Sequence, residues 1–384
     1  MDLRPTVSVV RCEGVDDLEK VKDAVLGSLD LIGGLKTILR RGDQVLIKLN
    51  LLAPRSYKSG ATTNPHIVAA LIDLSRQLGA KRIIIGEGAA VGHDTEKAFD
   101  ECGFRVLATD KQVELVDFKK SEFVPMSISN GRVLRRIRVP KELVDSDVII
   151  NVPVMKTHDV FPATLGLKNM KGIIPERDKK RFHSWGLSQC IVDLNKVALP
   201  QVTVIDGTIA MEGMGPAHGT PVNLGILISS IDTVAADTVA SLVMGIDPES
   251  IEYLRLASEQ GLGCGIISEI EVRGLQVEEV KRKFSRLVLE SGEFLKHGIR
   301  IMEEGACSGC RNTLSAVFSK LVSGDQIQLI GDTTFVLGQD AELLADFEGR
   351  LVKFGSCAKL ICPGKGKYIP GCPPHPEDVM ECVL

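Results

Sequence analysis

Short apolar runs alternate with amphipathic stretches along most of the chain. Residues 7–10 read as a first strand, and residues 15–39 have helical spacing, with acids early and Lys36, Arg40 and Arg41 late, as the helix dipole prefers. Gly42-Asp43 then turns into a buried apolar strand over 44–50. Thr62-Thr-Asn-Pro65 carries the polar cap and first-turn proline of a helix start, and Gly79 stops that helix after Leu78. Further strands are predicted at 81–85, 113–118, 133–139, 147–153, 202–205 and 224–229, and helices at 95–102, 233–243 and 248–260. The C-terminal part predicts short strands at 327–330, 334–337 and 351–354, with helices at 311–322 and 341–348.

Strands that alternate with helices, several of them continuously apolar, predict an α/β fold with a mostly parallel sheet covered by helices. A smaller C-terminal α/β domain carrying a four-cysteine cluster site is expected beside it. The predicted organisation is 1–275 for an anion-binding domain, 276–298 for a charged linker helix and 299–384 for the cysteine domain.

In parallel sheets ligands bind beyond the carboxyl ends of the strands. Lys48, Asn50, Glu87, Lys156, His158, Asp206 and Asp232 all fall at such predicted ends. The run from Asn151 to His158, followed by Gly166-Leu-Lys168-Asn169-Met-Lys171-Gly172, sets lysines and glycines among apolar residues. Ammonium groups and close-approaching backbone suit a phosphate or carboxylate. Lys179, Lys180 and Arg181 read instead as a solvated basic surface.

A second cluster holds Asp206-Gly207, Glu212, Gly215-Pro216, His218 and Asp232, which could move protons or hold a divalent cation such as magnesium. The expected acid–base set is therefore Lys156, His158, Asp206, Glu212 and His218. Lys48, Asn50, Glu87, Lys168, Asn169, Lys171 and Asp232 are the expected binding set. His183 and His66 are further proton carriers, and Asp237 reads as a cap or pair within its own helix.

Ten cysteines change the picture. Cys307-Ser-Gly-Cys310, Gly355-Ser-Cys357 and Pro370-Gly-Cys372-Pro-Pro-His-Pro376 set four thiols beside glycine and proline, and four soft thiolates fit an iron–sulfur cluster or a tetrahedral zinc. Structural zinc uses two close pairs, and here only the first pair is close. Cys12, Cys102, Cys190 and Cys264 lie among apolar residues and are expected in the core.

Across 384 residues, 44% apolar content, 25% charge and a net charge of −4 describe a globular protein without the basic footprint of nucleic-acid binding. The first residues hold no apolar signal core, and no run approaches the roughly 20 apolar residues of a membrane helix. A cytoplasmic setting without membrane contact is expected. A homo-oligomer stays open.

At Lys48-Leu-Asn50, Thr63-Asn-Pro65, Gly86-Glu87, Asn151–His158, Gly166–Gly172, Asp206-Gly207, Gly215-Pro216 and Asp232 the chain resembles the domain-of-unknown-function 362 family, over roughly residues 7–265. That resemblance implies an iron–sulfur redox context and names no substrate. The cysteine segments resemble the proximal-cluster region of the nickel–iron hydrogenase small subunit and of the small cluster subunit of complex I. This implies a [4Fe–4S] cluster on Cys307, Cys310, Cys357 and Cys372, with Cys362 as an alternative to Cys357. A fainter likeness to nickel-pincer lactate racemases rests on lysine, histidine and a glycine–lysine run before proline.

The leading expectation is an iron–sulfur redox enzyme or electron-transfer component, with an anionic small molecule and a redox protein as partners. A lyase or isomerase with a structural or Lewis-acid cluster, a non-catalytic cluster-binding subunit and a structural zinc protein are the alternatives.

Overall fold

The computed structural model describes residues 4–158, 161–213, 215–216, 219–285, 294, 296–306, 308–341, 349–374 and 376–384, without the side chains of 180, 308, 309, 312, 323 and 377. The chain forms two compact units, Met1–Arg286 and Leu287–Leu384.

The strands of the first unit are β1 (Thr6–Arg11), β2 (Gln44–Lys48), β3 (Arg82–Glu87), β4 (Glu114–Asp117), β5 (Phe123–Ser127), β6 (Arg136–Pro140), β7 (Val148–Asn151), β8 (Val154–Thr157), β9 (Ala163–Thr164), β10 (Val202–Glu212), β11 (Thr220–Ser230) and β12 (Glu271–Gly274). Among the described residues ten of these form one sheet, in the order β12-β1-β11-β10-β7-β2-β3-β4, with β8 on β10 and β9 on β8. The run β10-β7-β2-β3-β4 is parallel, and β11 is antiparallel to both its neighbours. β5 and β6 make a separate antiparallel pair.

The apolar runs explain the layering. Val45, Ile47, Ile83, Ile85, Val148 and Ile150 face one layer with the helices Leu18–Leu31 and Pro65–Gln77, while Leu46, Ile84 and Ile149 face the other with the helices Leu187–Ala198, Thr233–Val243 and Glu252–Glu259. Both faces are buried, so the strands show no polar alternation. No helix among the described residues is long and apolar enough to cross a membrane.

Several predicted elements change. The first helix runs only from Leu18, capped by Asp17, to Leu31, because Gly33 and Gly34 turn left-handed at φ 100° and 81°. Pro65–Gln77 matches its prediction, with Asn64 accepting from the His66 N–H at the cap. Of the expected linker helix, Val277–Val280 is helical. Lys281 then leaves at ψ 127°, since Arg282 and Phe284 donate their N–H groups to the carbonyls of Val243 and Met244.

In the second unit, β13 (Arg300–Met302), β14 (Thr333–Leu337), β15 (Arg350–Phe354) and β16 (Lys367–Ile369) form a parallel sheet in sequence order, with the helices Ser308–Ser323 and Pro376–Val383. Residues 327–330, expected as a strand, are a short 3₁₀ helix without sheet partners. The predicted helix at 341–348 lies almost wholly outside the described residues.

Asp193 ties the first unit together. It lies fully buried in the helix Leu187–Ala198 and accepts the N–H groups of Arg132, Val133 and Leu134 at 2.7–3.0 Å, with Lys196 Nζ at 3.0 Å. Burial pushes its carboxyl up, but these donors outweigh it and hold it below the usual value. Its stabilisation is therefore complete above the unfolded value of about 3.9 and lost as pH falls through the lower folded value. Asp193→Ala should cost at least about 2 kcal/mol in urea unfolding at pH 7, since three N–H groups lose their acceptor. The gap to wild type should narrow in acid, and a gap independent of pH would contradict this account.

Candidate functional site

The carboxyl ends of β2, β3 and β7 lie side by side, with Lys48 opposite both Gly86 and Asn151 in register. Lys48 is fully buried, and its Nζ meets Glu87 Oε2 at 2.7 Å and the Leu49 carbonyl at 2.7 Å. Glu87 also accepts the N–H groups of Gly88, at 2.8 Å, and Leu51, at 3.3 Å. Burial pushes the Lys48 ammonium below the usual lysine range, and Glu87 recovers part of that. Gly172 packs onto this pair so closely that a Cβ there would overlap Glu87 Oε1 and lie 2.7 Å from Lys48 Nζ.

Two more ammonium groups are buried nearby. Lys156 on β8 is 2% exposed, and its Nζ donates to the Ala61 carbonyl at 2.9 Å. Burial, with repulsion from Lys168 and Lys48, brings it down to about 7. Lys179 is 6% exposed and donates to the carbonyls of Gly88, at 2.6 Å, and Ala89, at 3.3 Å; burial lowers it to about 8. Among the described residues neither forms an ion pair. The solvated-surface reading of Lys179 is thus corrected. Its helix, Glu176–Trp185, turns Lys179 and Phe182 to the same interior face, and the three-residue spacing was the available signal.

The turn from Gly166 to Ile173 carries the remaining lysines. Lys168 Nζ lies 2.8 Å from His158 Nε2, and Lys171 Nζ lies 2.9 Å from His183 Nε2. Asn169 donates to the Leu49 carbonyl and to Asn151 Oδ1, at 3.0 and 2.8 Å, so the turn is tied to the ends of β2 and β7. Asn50 serves as scaffold: its Oδ1 accepts from the Val154 N–H at 3.4 Å, and its own N–H donates to Thr63.

Of the predicted acids, Asp206 is buried near Lys156. It accepts from the Asn64 N–H at 2.8 Å and from Thr208 Oγ1 at 2.6 Å, and burial raises its carboxyl. Glu212 does not join the group, because its carboxylate pairs with Arg282 at 2.9 Å and accepts from the Ser285 N–H. Asp232 lies at the opposite end of the sheet, since antiparallel β11 ends beside the start of β10, Ser230 opposite Thr203. There it caps the helix Thr233–Val243 and accepts from the Cys264 N–H. His218 lies outside the described residues. An open cleft of about 850 Å³ runs along that opposite end, past Arg4, Asp232 and Cys264, and none of the buried lysines lines it. Cys264, expected in the core, is half-buried there.

In the second unit, Cys310 follows β13, Cys357 follows β15 and Cys372 follows β16, so all three lie beyond carboxyl ends of one parallel sheet. Cys307 lies outside the described residues. A Cβ on Gly355 would lie 2.7 Å from Cys310 Sγ, and the Gly355 and Ser356 N–H groups donate to the Ile369 and Gly371 carbonyls. The three loops therefore meet. Cys362, at φ 45°, packs instead with Val336, Ala341 and Leu351, on the sheet face opposite the core that holds Cys310. Among the described residues no group of three or more His, Cys, Asp or Glu side chains could hold a metal ion.

The model of a family described as a domain of unknown function (DUF362) matches residues 45–241. A thylakoid-associated protein of Synechocystis is 31% identical over 240 residues, which cover 61% of this chain and 73% of that protein. Among solved structures, the lactate racemase apoprotein of Thermoanaerobacterium thermosaccharolyticum aligns at 14% identity and a TM-score of 0.43, over 64% of this chain and 59% of that one. A loganic acid methyltransferase aligns at a TM-score of 0.25. Both likenesses are too loose to bear on function.

The Lys48–Glu87 pair gives a direct test of this geometry. Removing one partner of a buried pair costs about 3–5 kcal/mol, whereas replacing both with apolar groups costs far less. Glu87→Gln should lower stability in guanidinium unfolding by that amount, and Lys48→Met with Glu87→Leu should recover most of it. A double variant as unstable as the sum of the two single ones would refute a mutually dependent pair.

Proposed function

The chain belongs to the DUF362 family, and on that premise we propose that it is an iron–sulfur protein whose first unit binds an anionic small molecule, a carboxylate or a phosphate. The observation that carries the anion site is the burial of three lysines, Lys48, Lys156 and Lys179, of which Lys48 alone forms an ion pair among the described residues, with Glu87, while the buried Asp206 lies near Lys156. A buried ammonium group without a counter-charge is costly, so a cluster of them is stabilised by an anion. Lys168 and Lys171, on the turn tied to the same strand ends, are the groups that reach the ligand. Lys156 lies near 7 and can take or give a proton at neutral pH. That feature favours, as a second reading, a lyase or isomerase working on the same anion.

The second unit is proposed to hold one [4Fe–4S] cluster on Cys307, Cys310, Cys357 and Cys372, which would supply one-electron chemistry. The meeting of the Cys310, Cys357 and Cys372 loops supports a thiolate site, and the opposite-face packing of Cys362 favours Cys357. A redox protein partner and a cytoplasmic setting belong to this reading.

Calorimetry with inorganic phosphate and with succinate tests the first unit. Affinity should rise as pH falls through about 7, because Lys156 gains its charge there, and Lys168→Ala should weaken binding at least about tenfold. Binding indifferent to both pH and Lys168→Ala would reject the site. For the second unit, protein purified without oxygen should be brown with about four irons per chain and should lose its colour in Cys372→Ala. Colourless protein with about one zinc would replace the cluster with a structural metal.

A further inference from the structure

Asp237 is buried in the middle of the helix Thr233–Val243, with no exposed surface. Its spacing suggested a contact within its own helix, but its carboxylate faces away to the lysine-bearing turn. Oδ1 accepts the Gly166 N–H at 2.7 Å, and Oδ2 accepts the Leu167 N–H at 3.0 Å. A Cβ on Gly166 would lie 2.8 Å from Oδ1, so glycine is what lets the two approach. The opposite side of the turn is held as well. Asn151 Nδ2 donates to the Gly166 carbonyl at 3.0 Å, and Asn195 Nδ2 donates to the Leu167 carbonyl at 2.9 Å. Lys168 is the next residue in the chain.

Two converging N–H donors need two acceptors on one side chain. A carboxylate offers one oxygen to each, whereas an amide offers one oxygen and turns an NH₂ toward the other donor. Burial raises the Asp237 carboxyl to about 7, so the protein keeps this group at a cost that an apolar residue would not incur. Among the described residues the titratable groups that interact with Asp237 are Asp232 and Tyr253. Neither is a cation that would explain the carboxylate.

We propose that Asp237 is a positioning residue for the anion site: it fixes the Gly166–Leu167 backbone and thereby aims Lys168 at the ligand. This rests on the anion-binding reading above. Asp237 does not touch the ligand; it acts through the turn.

The test is a double-mutant cycle read by calorimetry with inorganic phosphate and succinate on the full chain. Asp237→Asn should weaken binding at least about tenfold on its own, and add less than about twofold once Lys168→Ala is present, because the two act through one group. Val239→Ala, a truncation in the core of the same helix, should lower thermal stability yet leave affinity within about twofold. Faster hydrogen exchange at the Gly166 and Leu167 amides should accompany Asp237→Asn. Wild-type affinity in Asp237→Asn, full additivity with Lys168→Ala, or an equal loss in Val239→Ala would each overturn the assignment. Failure of the wild-type protein to bind either probe would overturn the anion site itself, and the positioning role with it.

Discussion

The buried Lys48–Glu87 pair is the constraint around which the first unit is arranged. Desolvating two charges costs several kcal/mol each, and their attraction repays that only when the remaining hydrogen-bonding capacity is filled. Here it is filled from backbone: the Leu49 carbonyl takes the lysine, and the Gly88 and Leu51 N–H groups take the carboxylate. Those three backbone groups belong to the loops that leave β2 and β3. The pair therefore dictates how the chain exits two neighbouring parallel strands. It dictates the approach of Gly172 too, since any side chain there would split the pair. A turn that must press glycine against an ion pair cannot slide. Lys168 and Lys171 inherit that rigidity.

This arrangement was partly legible in the residues. Continuous apolar strands gave the buried sheet, and at their carboxyl ends Lys48 meets Glu87 with Asn151 beside it in register, while Lys156 is buried nearby. Local signals also held where they were strong: Asn64-Pro65 starts a helix because proline needs no donor there and asparagine supplies an acceptor. The misreadings share a physical cause, which is that a charged residue's partner is set by tertiary contacts. Glu212 looked like an acid beside a glycine loop, but Arg282, seventy residues later, claims it. Asp232 looked like a strand-end ligand until the reversed direction of β11 carried it to the other edge. Lys179 stood in a basic run that reads as solvated, yet Phe182 beside it on the helix drew that face inward. Asp193 and Asp237 carry the clearest lesson. Both accept backbone N–H groups from distant segments, and no spacing in the chain announces such a bond.

The second unit obeys the same topological rule by different chemistry. Its four strands are parallel and run in sequence order, so every chain exit lies on one edge. Alternation along the strands then sorts the cysteines. Phe335, Leu337, Val352 and Phe354 turn toward the core that holds Cys310, while Val336 and Leu351 turn toward Cys362. A ligand set drawn from one side of a sheet cannot readily include a residue packed on the other. Spacing alone left Cys357 and Cys362 open, and the proposed ligand set takes Cys357 because Cys362 packs on the face opposite the core that holds Cys310.

The same reasoning weighs the two readings of the first unit. In the proposed redox reading the electrons would come from the cluster, so the first unit would need only to hold an anionic substrate, and fixed ammonium groups would suffice for that. Proton abstraction needs a base that is substantially neutral at working pH, and an ordinary lysine is not. Lys156 departs from the ordinary because it is buried and because Lys168 and Lys48 repel its charge. A bound anion would supply opposite charge to the same group and restore its proton. Lys156 is thus most basic when the ligand is present and most nearly neutral when it is absent. That order suits a residue that charges as it binds better than one that must stay neutral to pull a proton from its substrate. On the proposed anion-binding reading, the electrostatics around Lys156 would suit it to hold the anion, with proton transfer left to a group whose charge the ligand would not reinforce.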